Sequence, residues 1–69
     1  MDWMDQLRQR MQDDEVVQVS IDGQIFTIER QGGMMSFTNP FGRREQFDSP
    51  EGVVNAMQSW YENPVIVVL

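Results

Sequence analysis

The sequence predicts a small α+β domain: an antiparallel β-meander of three to five strands, packed by an N-terminal helix and a second helix in the C-terminal half. Three observations carry that prediction. Two alternating runs of apolar and polar residues flank Asp22-Gly23. Two segments repeat apolar residues at helical spacing, and the chain closes on the apolar run "PVIVVL". The expected order is αββ(β)(β)αβ, with helices packed on one face of one sheet and residues 1–69 forming a single domain.

Residues 2–12 form the first helical pattern. Trp3, Met4, Leu7 and Met11 fall within about a 100° arc, with Asp2, Gln9 and Asp13 opposite. Arg8 and Arg10 flank the arc, where their stems cover apolar surface while the guanidinium stays in water. Acids early and arginines late suit the helix dipole. The acidic run Asp13, Asp14, Glu15 ends the helix.

"EVVQVSIDGQIFTIER" is the clearest segment. Asp-Gly between alternating runs signals a two-residue hairpin turn, because both turn residues need positive φ. The turn fixes the register. Ile21 faces Gln24, Val19 faces Phe26, Val17 faces Ile28, and Glu15 faces Arg30 as an expected ion pair. The opposite face is mainly polar. "QGG" reads as a second turn and "MMSFT" as a third strand, with Met35 and Phe37 on one face. In "NPFGRR", Pro40 and Gly42 shape another turn with Phe41 at its tip, and "RREQF" returns with Phe47 inward.

"DSPEG" starts the second helix, with Asp48 or Ser49 as cap, Pro50 in the first turn and Glu51 near the positive end. Val53, Val54, Met57, Trp60 and Tyr61 share one arc, and Asn63-Pro64 stops the helix. The closing run lacks alternation. It is expected to return to the chain's own sheet, buried on both faces or lying beside the first helix. The other possibility is an open edge that adds to a partner's sheet or to a second copy.

The totals narrow the function. The chain has no Cys and no His, which removes disulfides, thiolate or imidazole metal sites, and Cys or His catalysis. Asp13, Asp14 and Glu15 are adjacent and lack the spaced oxygens of a calcium loop. Gly32-Gly33 lacks the pattern of a phosphate loop, and Ser49 is a cap rather than a nucleophile. The expectation is a non-enzymatic protein with no cofactor and no metal. No segment matches a signal peptide, and the apolar run at 65–69 is far short of the roughly 20 residues that span a bilayer. A cytoplasmic location without membrane contact is expected.

Eleven acids against five bases, all Arg, give a net charge of −6. Direct nucleic-acid binding usually needs the opposite sign, so a basic partner is favoured. Two candidate surfaces follow. The first is acidic: Asp2, Asp5 and Asp13 on the polar side of the first helix, with Asp14, Glu15, Asp22 and Glu29 near the hairpin. Clustered, they would imitate a run of phosphates; evenly spread, they are ordinary solvation. The second is Phe41 with Arg43 and Arg44, an exposed aromatic beside two cations, unless Phe41 folds back and the arginines neutralise Glu45 and Asp48.

The stretch "FDSPEGVVNAMQSWYENP" resembles, in style, the strand-to-helix segments of small acidic inhibitors encoded by phages and mobile elements, of the anti-CRISPR and restriction-inhibiting kind. The resemblance implies a stoichiometric inhibitor that blocks a nucleic-acid site on a larger protein or ribonucleoprotein complex with a basic groove. Arg43-Arg44 departs from a uniformly anionic mimic. The alternative is a structural or adaptor module, monomeric or homodimeric, binding through the Phe41 loop or the C-terminal strand edge.

Overall fold

A computed structural model describes residues 2–61 and 63–69. The elements run α1 (Trp3–Asp13), β1 (Val16–Ile21), β2 (Gln24–Gln31), β3 (Met34–Thr38), β4 (Arg44–Phe47), α2 (Pro50–Trp60) and β5 (Ile66–Val68). This is the α+β fold expected, with the order αββββαβ. The five strands form one sheet in the order β4-β3-β2-β1-β5, and every neighbouring pair is antiparallel.

Local chemistry sets each boundary. Asp2 Oδ1 accepts a hydrogen bond from the Asp5 amide and so caps one of the orphan N–H groups at the start of α1. The β1–β2 turn places Asp22 at φ 51° and Gly23 at φ 86°, as a two-residue turn of this hand requires. Its register is the expected one, from Ile21 opposite Gln24 down to Val17 opposite Ile28. Gly32 and Gly33, both at positive φ, close the β2–β3 turn in the same way. At the β3–β4 turn the Asn39 side-chain oxygen accepts from the amides of both Phe41 and Arg43. Ser49 is the cap of α2, accepting from the Gly52 amide, with Pro50 next in the first turn.

The period-two pattern of β1 to β3 sends Val17, Val19, Ile21, Phe26, Ile28, Met35 and Phe37 to one face, all buried. Leu7 and Met11 of α1 and Val53, Val54 and Met57 of α2 complete that core. α1 packs over β1 and β5, while α2 packs over β3 and β4. The helices run antiparallel: Arg8 of α1 meets Glu51 at the start of α2, while Met4 meets Gln58 near its end. The opposite sheet face carries no helix. There Ser36, buried and without a hydrogen-bond partner for its hydroxyl among the described residues, sits in register between Glu29 and Gln46.

One expectation needs correction. Arg30 does not pair with Glu15 through its side chain. Its guanidinium instead donates to the carbonyl oxygens of Met11 and Gln12, where α1 ends. Those carbonyls lack helical partners and carry the negative end of the helix dipole, so a cation is drawn to them. Only the main chains of Arg30 and Glu15 are bonded, the Arg30 amide donating to the Glu15 carbonyl. β5 returns to its own sheet and takes the second of its two expected positions, beside α1, rather than burial on both faces. Ile66 and Val68 pack on the core, whereas Val65, Val67 and Leu69 are exposed. The outer sheet face has no covering layer, so lack of alternation in sequence does not mean burial twice over.

Gly52 offers a simple test of the α2 start. It is helical, and an added Cβ would meet Phe47 Cβ at 3.4 Å and Ser49 Oγ at 3.6 Å, which are ordinary contacts. Gly52→Ala is expected to stabilise the fold by about 0.5–1 kcal/mol, since glycine in a helix loses the most backbone freedom. A thermal melt should rise by a few degrees. A lower melting temperature would show that Phe47 cannot accommodate the methyl group.

Candidate functional site

The acidic residues named from sequence fall into separate groups. Asp13, Asp14 and Glu15 stand at the junction of α1 and β1, and Glu29 lies opposite Val16 in the same part of the sheet. Asp22 is in the turn at the other end of β1, about 20 Å away at ~3.3 Å per residue. Asp2 is at the far end of α1, about 16 Å away at ~1.5 Å per residue. Asp5 lies between them and is occupied by Arg8, at 3.0 Å. The fold therefore brings Asp13, Asp14 and Glu15 together at one end of α1, while Glu29, near them along the strands, points from the uncovered face of the sheet, away from α1.

Ion pairing divides them further. Arg8 also holds Glu51 at 2.8 Å, and these two carboxylates keep its guanidinium firmly protonated, Glu51 contributing most. Arg10 pairs with Asp14 at 2.9 Å across one helical turn. Asp13 and Glu15 are exposed and make no ion pair among the described residues. Asp22 accepts from the Val65 amide at 2.9 Å, and its own amide donates back to the Val65 carbonyl, so its role is to fasten the lead-in to β5.

Arg43 and Arg44 make no ion pair among the described residues, and Phe41 is 84 % exposed. Phe41 does not fold back over the core. Both arginines lie at the β4 edge, three strands from β1. At an interstrand spacing of about 4.8 Å that is about 14 Å sideways, more than the ~8 Å screening length at physiological salt. Arg43 and Arg44 are thus removed from the acidic run in space, whereas Arg30 sits beside it, on the carbonyls where α1 ends. A shallow groove of about 320 Å³ between α1 and β5 is lined by Gln6, Gln9, Arg10, Asp13 and Val68, with Asp13 on its rim.

A second feature was hidden from the sequence. Phe26 and Phe37 stack at 5.2 Å between ring centres; Tyr61 meets Phe26 edge-on at 6.3 Å, and Trp60 meets Phe37 at 5.7 Å. With Asn39, Arg43 and Glu45 these rings line a cleft of about 170 Å³ between the sheet and the end of α2. The helical arc assigns Trp60 and Tyr61 to the core. In the fold Trp60 lies at the last position of α2, packs against Phe37 and Phe47, and stays 44 % exposed. The only trace in sequence is an aromatic pair in the last turn of a helix that is otherwise aliphatic.

Burial pushes the Tyr61 phenol above its ordinary pKa of 10.0, and the negative charge of Asp22 adds to the shift. The unfolded chain therefore loses this proton first, so the stabilisation is complete below about pH 10 and is lost as pH rises towards the folded value. Tyr61 is the single tyrosine, so phenolate absorbance reports on it alone. The titration midpoint should lie above that of the urea-unfolded chain, and Asp22→Asn should lower it only in part. Equal midpoints would contradict the burial of the ring.

Among the described residues no acidic cluster is placed to hold a metal ion, and no helix is long and apolar enough to cross a membrane. Compared with protein-family models, curated proteins and solved structures, the chain finds no match.

Proposed function

We propose that this chain is a non-enzymatic binding protein, a stoichiometric inhibitor that docks acidic groups on a basic, nucleic-acid-binding surface of a larger protein or ribonucleoprotein. The observation that supports it best is the separation of charge. Asp13 and Glu15 are exposed and make no ion pair among the described residues, and Arg43 and Arg44, likewise without an ion pair among the described residues, stand at the far edge of the sheet. Arg30 at the end of α1 offsets one of these acidic charges, and the net charge of −6 leaves the chain anionic overall, which steers it towards a basic groove. Asp14 belongs to the same side as Asp13 and Glu15 with its charge shared with Arg10, whereas Asp2, Asp5 and Asp22 serve as cap, ion-pair member and strand fastener. Asp13 and Glu15 are accordingly the residues expected to carry binding.

The test is capture from a lysate of the source cells on the tagged chain, with salt-gradient elution and competition by duplex DNA. A partner released by moderate salt and displaced by DNA is expected. Reversing Asp13 and Glu15 together to Lys should weaken binding by about tenfold or more at low salt, as loss of complementary charge does. A partner that ignores both salt and these reversals would overturn the proposal.

A second reading is favoured by one observation. Ile25 and Val67 flank Ser20 in one row of the uncovered sheet face, and Val65 and Leu69 are exposed beside them on the β5 side. Together with Phe41 they offer apolar surface to an adaptor or homodimer contact. That contact would be insensitive to salt, which separates the two readings in the same elution.

A further inference from the structure

The aromatic cleft at the end of α2 has a chemistry that selects its occupant. Its volume, about 170 Å³, is close to that of a cavity of about 150 Å³ that holds a single benzene ring, and well below the ~300 Å³ at which pockets for larger ligands begin. It has room for one side-chain head group. Phe37 and Trp60 form one wall, with rings 50° apart, and Phe26 and Tyr61 another. Glu45 stands directly opposite Phe37 in the sheet register and therefore on the same face. It is half-buried at the cleft and makes no hydrogen bond or ion pair among the described residues.

That carboxylate decides between occupants. An apolar side chain would strip water from Glu45 and leave the charge unpaired, which is costly. A phosphate-bearing nucleotide would bring a second negative charge to it. A guanidinium suits this cleft: its flat face stacks on the exposed part of the Trp60 indole, and its edge donates a forked pair of hydrogen bonds to a carboxylate. We infer that this cleft is the seat for a single arginine side chain presented by an exposed segment of a basic protein partner. The inference rests on the basic-partner reading above and names one residue type that such a partner must display. Arg43, exposed at the cleft and without an ion pair among the described residues, opposes the incoming cation and sets an upper limit on affinity.

The opposite signs of Glu45 and Arg43 give the test. The 15N-labelled full chain is titrated with the blocked tripeptide acetyl-Gly-Arg-Gly-amide and followed through the Trp60 indole and the Glu45 and Tyr61 amides. Saturable shifts at these positions are expected. The same tripeptide with citrulline, which keeps the shape and removes the charge, should bind at least about tenfold more weakly, and Glu45→Gln should weaken the arginine peptide by about as much. Arg43→Gln should tighten it by about threefold, the gain expected from removing a solvent-exposed like charge. A role of either residue in folding alone would not produce opposite effects. No saturable shift, equal binding of citrulline, or weaker binding in Arg43→Gln would overturn the inference; the last result would point to an anionic ligand. The Asp13→Lys, Glu15→Lys chain should bind the peptide like the wild type, because those residues lie at the other side of the sheet. Loss of peptide binding in that chain would mean that diffuse charge, not the cleft, holds arginine. Partner capture and peptide binding can therefore fail separately.

Discussion

Leu7→Ala is expected to remove about 2–5 kcal/mol of stability, the range for deleting a buried leucine side chain and leaving part of its space empty. Leu7 is fully buried at the centre of α1, in the cluster that joins both helices to the sheet. The size of the effect matters because the whole is small. At about 0.05–0.15 kcal/mol per residue, a domain of this length holds roughly 3–10 kcal/mol, with no disulfide to reinforce it. One methylene-rich side chain is thus worth a large fraction of the total. Urea denaturation should show either a midpoint shifted far to low urea or a chain already unfolded without it. Leu7→Met, which keeps the volume, should cost less than about 1.5 kcal/mol. If Leu7→Ala and Leu7→Met have the same midpoint, α1 is not part of the cooperative core.

What the sequence discloses about this protein follows how local each cause is. The β1–β2 hairpin was legible residue by residue, because Asp22 and Gly23 fix the turn and the turn fixes the register. The same holds for Ser49, whose hydroxyl acts three residues away on the Gly52 amide. Where the cause spans the chain, legibility ends. Arg30 is drawn to the α1 carbonyls rather than to Glu15 because the end of α1 comes within reach of its guanidinium, and alternation cannot report that. The aromatic cleft needs Phe26, Phe37, Glu45 and Trp60 from four separate elements, and its depth is set by where α2 stops. The separation of Asp13 and Glu15 from Arg43 and Arg44 likewise depends on strand order, which places β4 and β1 three strands apart.

The closing strand gives the second large effect, and it separates two neighbouring positions. Ile66 pairs with Ile21 on the core face, while Val67 pairs with Ser20 on the uncovered face. Ile66→Asp puts a carboxylate against buried apolar side chains under α1, and should cost about 3 kcal/mol or detach β5 altogether. Val67→Asp puts the same group in water and should stay within about 0.5 kcal/mol. Because successive strand residues point to opposite faces, a slip of β5 by one residue would exchange the two results. Urea midpoints of the two variants thus test the register directly. Val67→Asp has a second use. It leaves the fold intact while placing a charge in the exposed row that it shares with Ile25. If the outer face and the β5 edge are where copies or partners meet, sedimentation of Val67→Asp should show association lost at unchanged stability. Association that persists in this variant, and falls instead with rising salt, would place the contact on the anionic α1–β1 side.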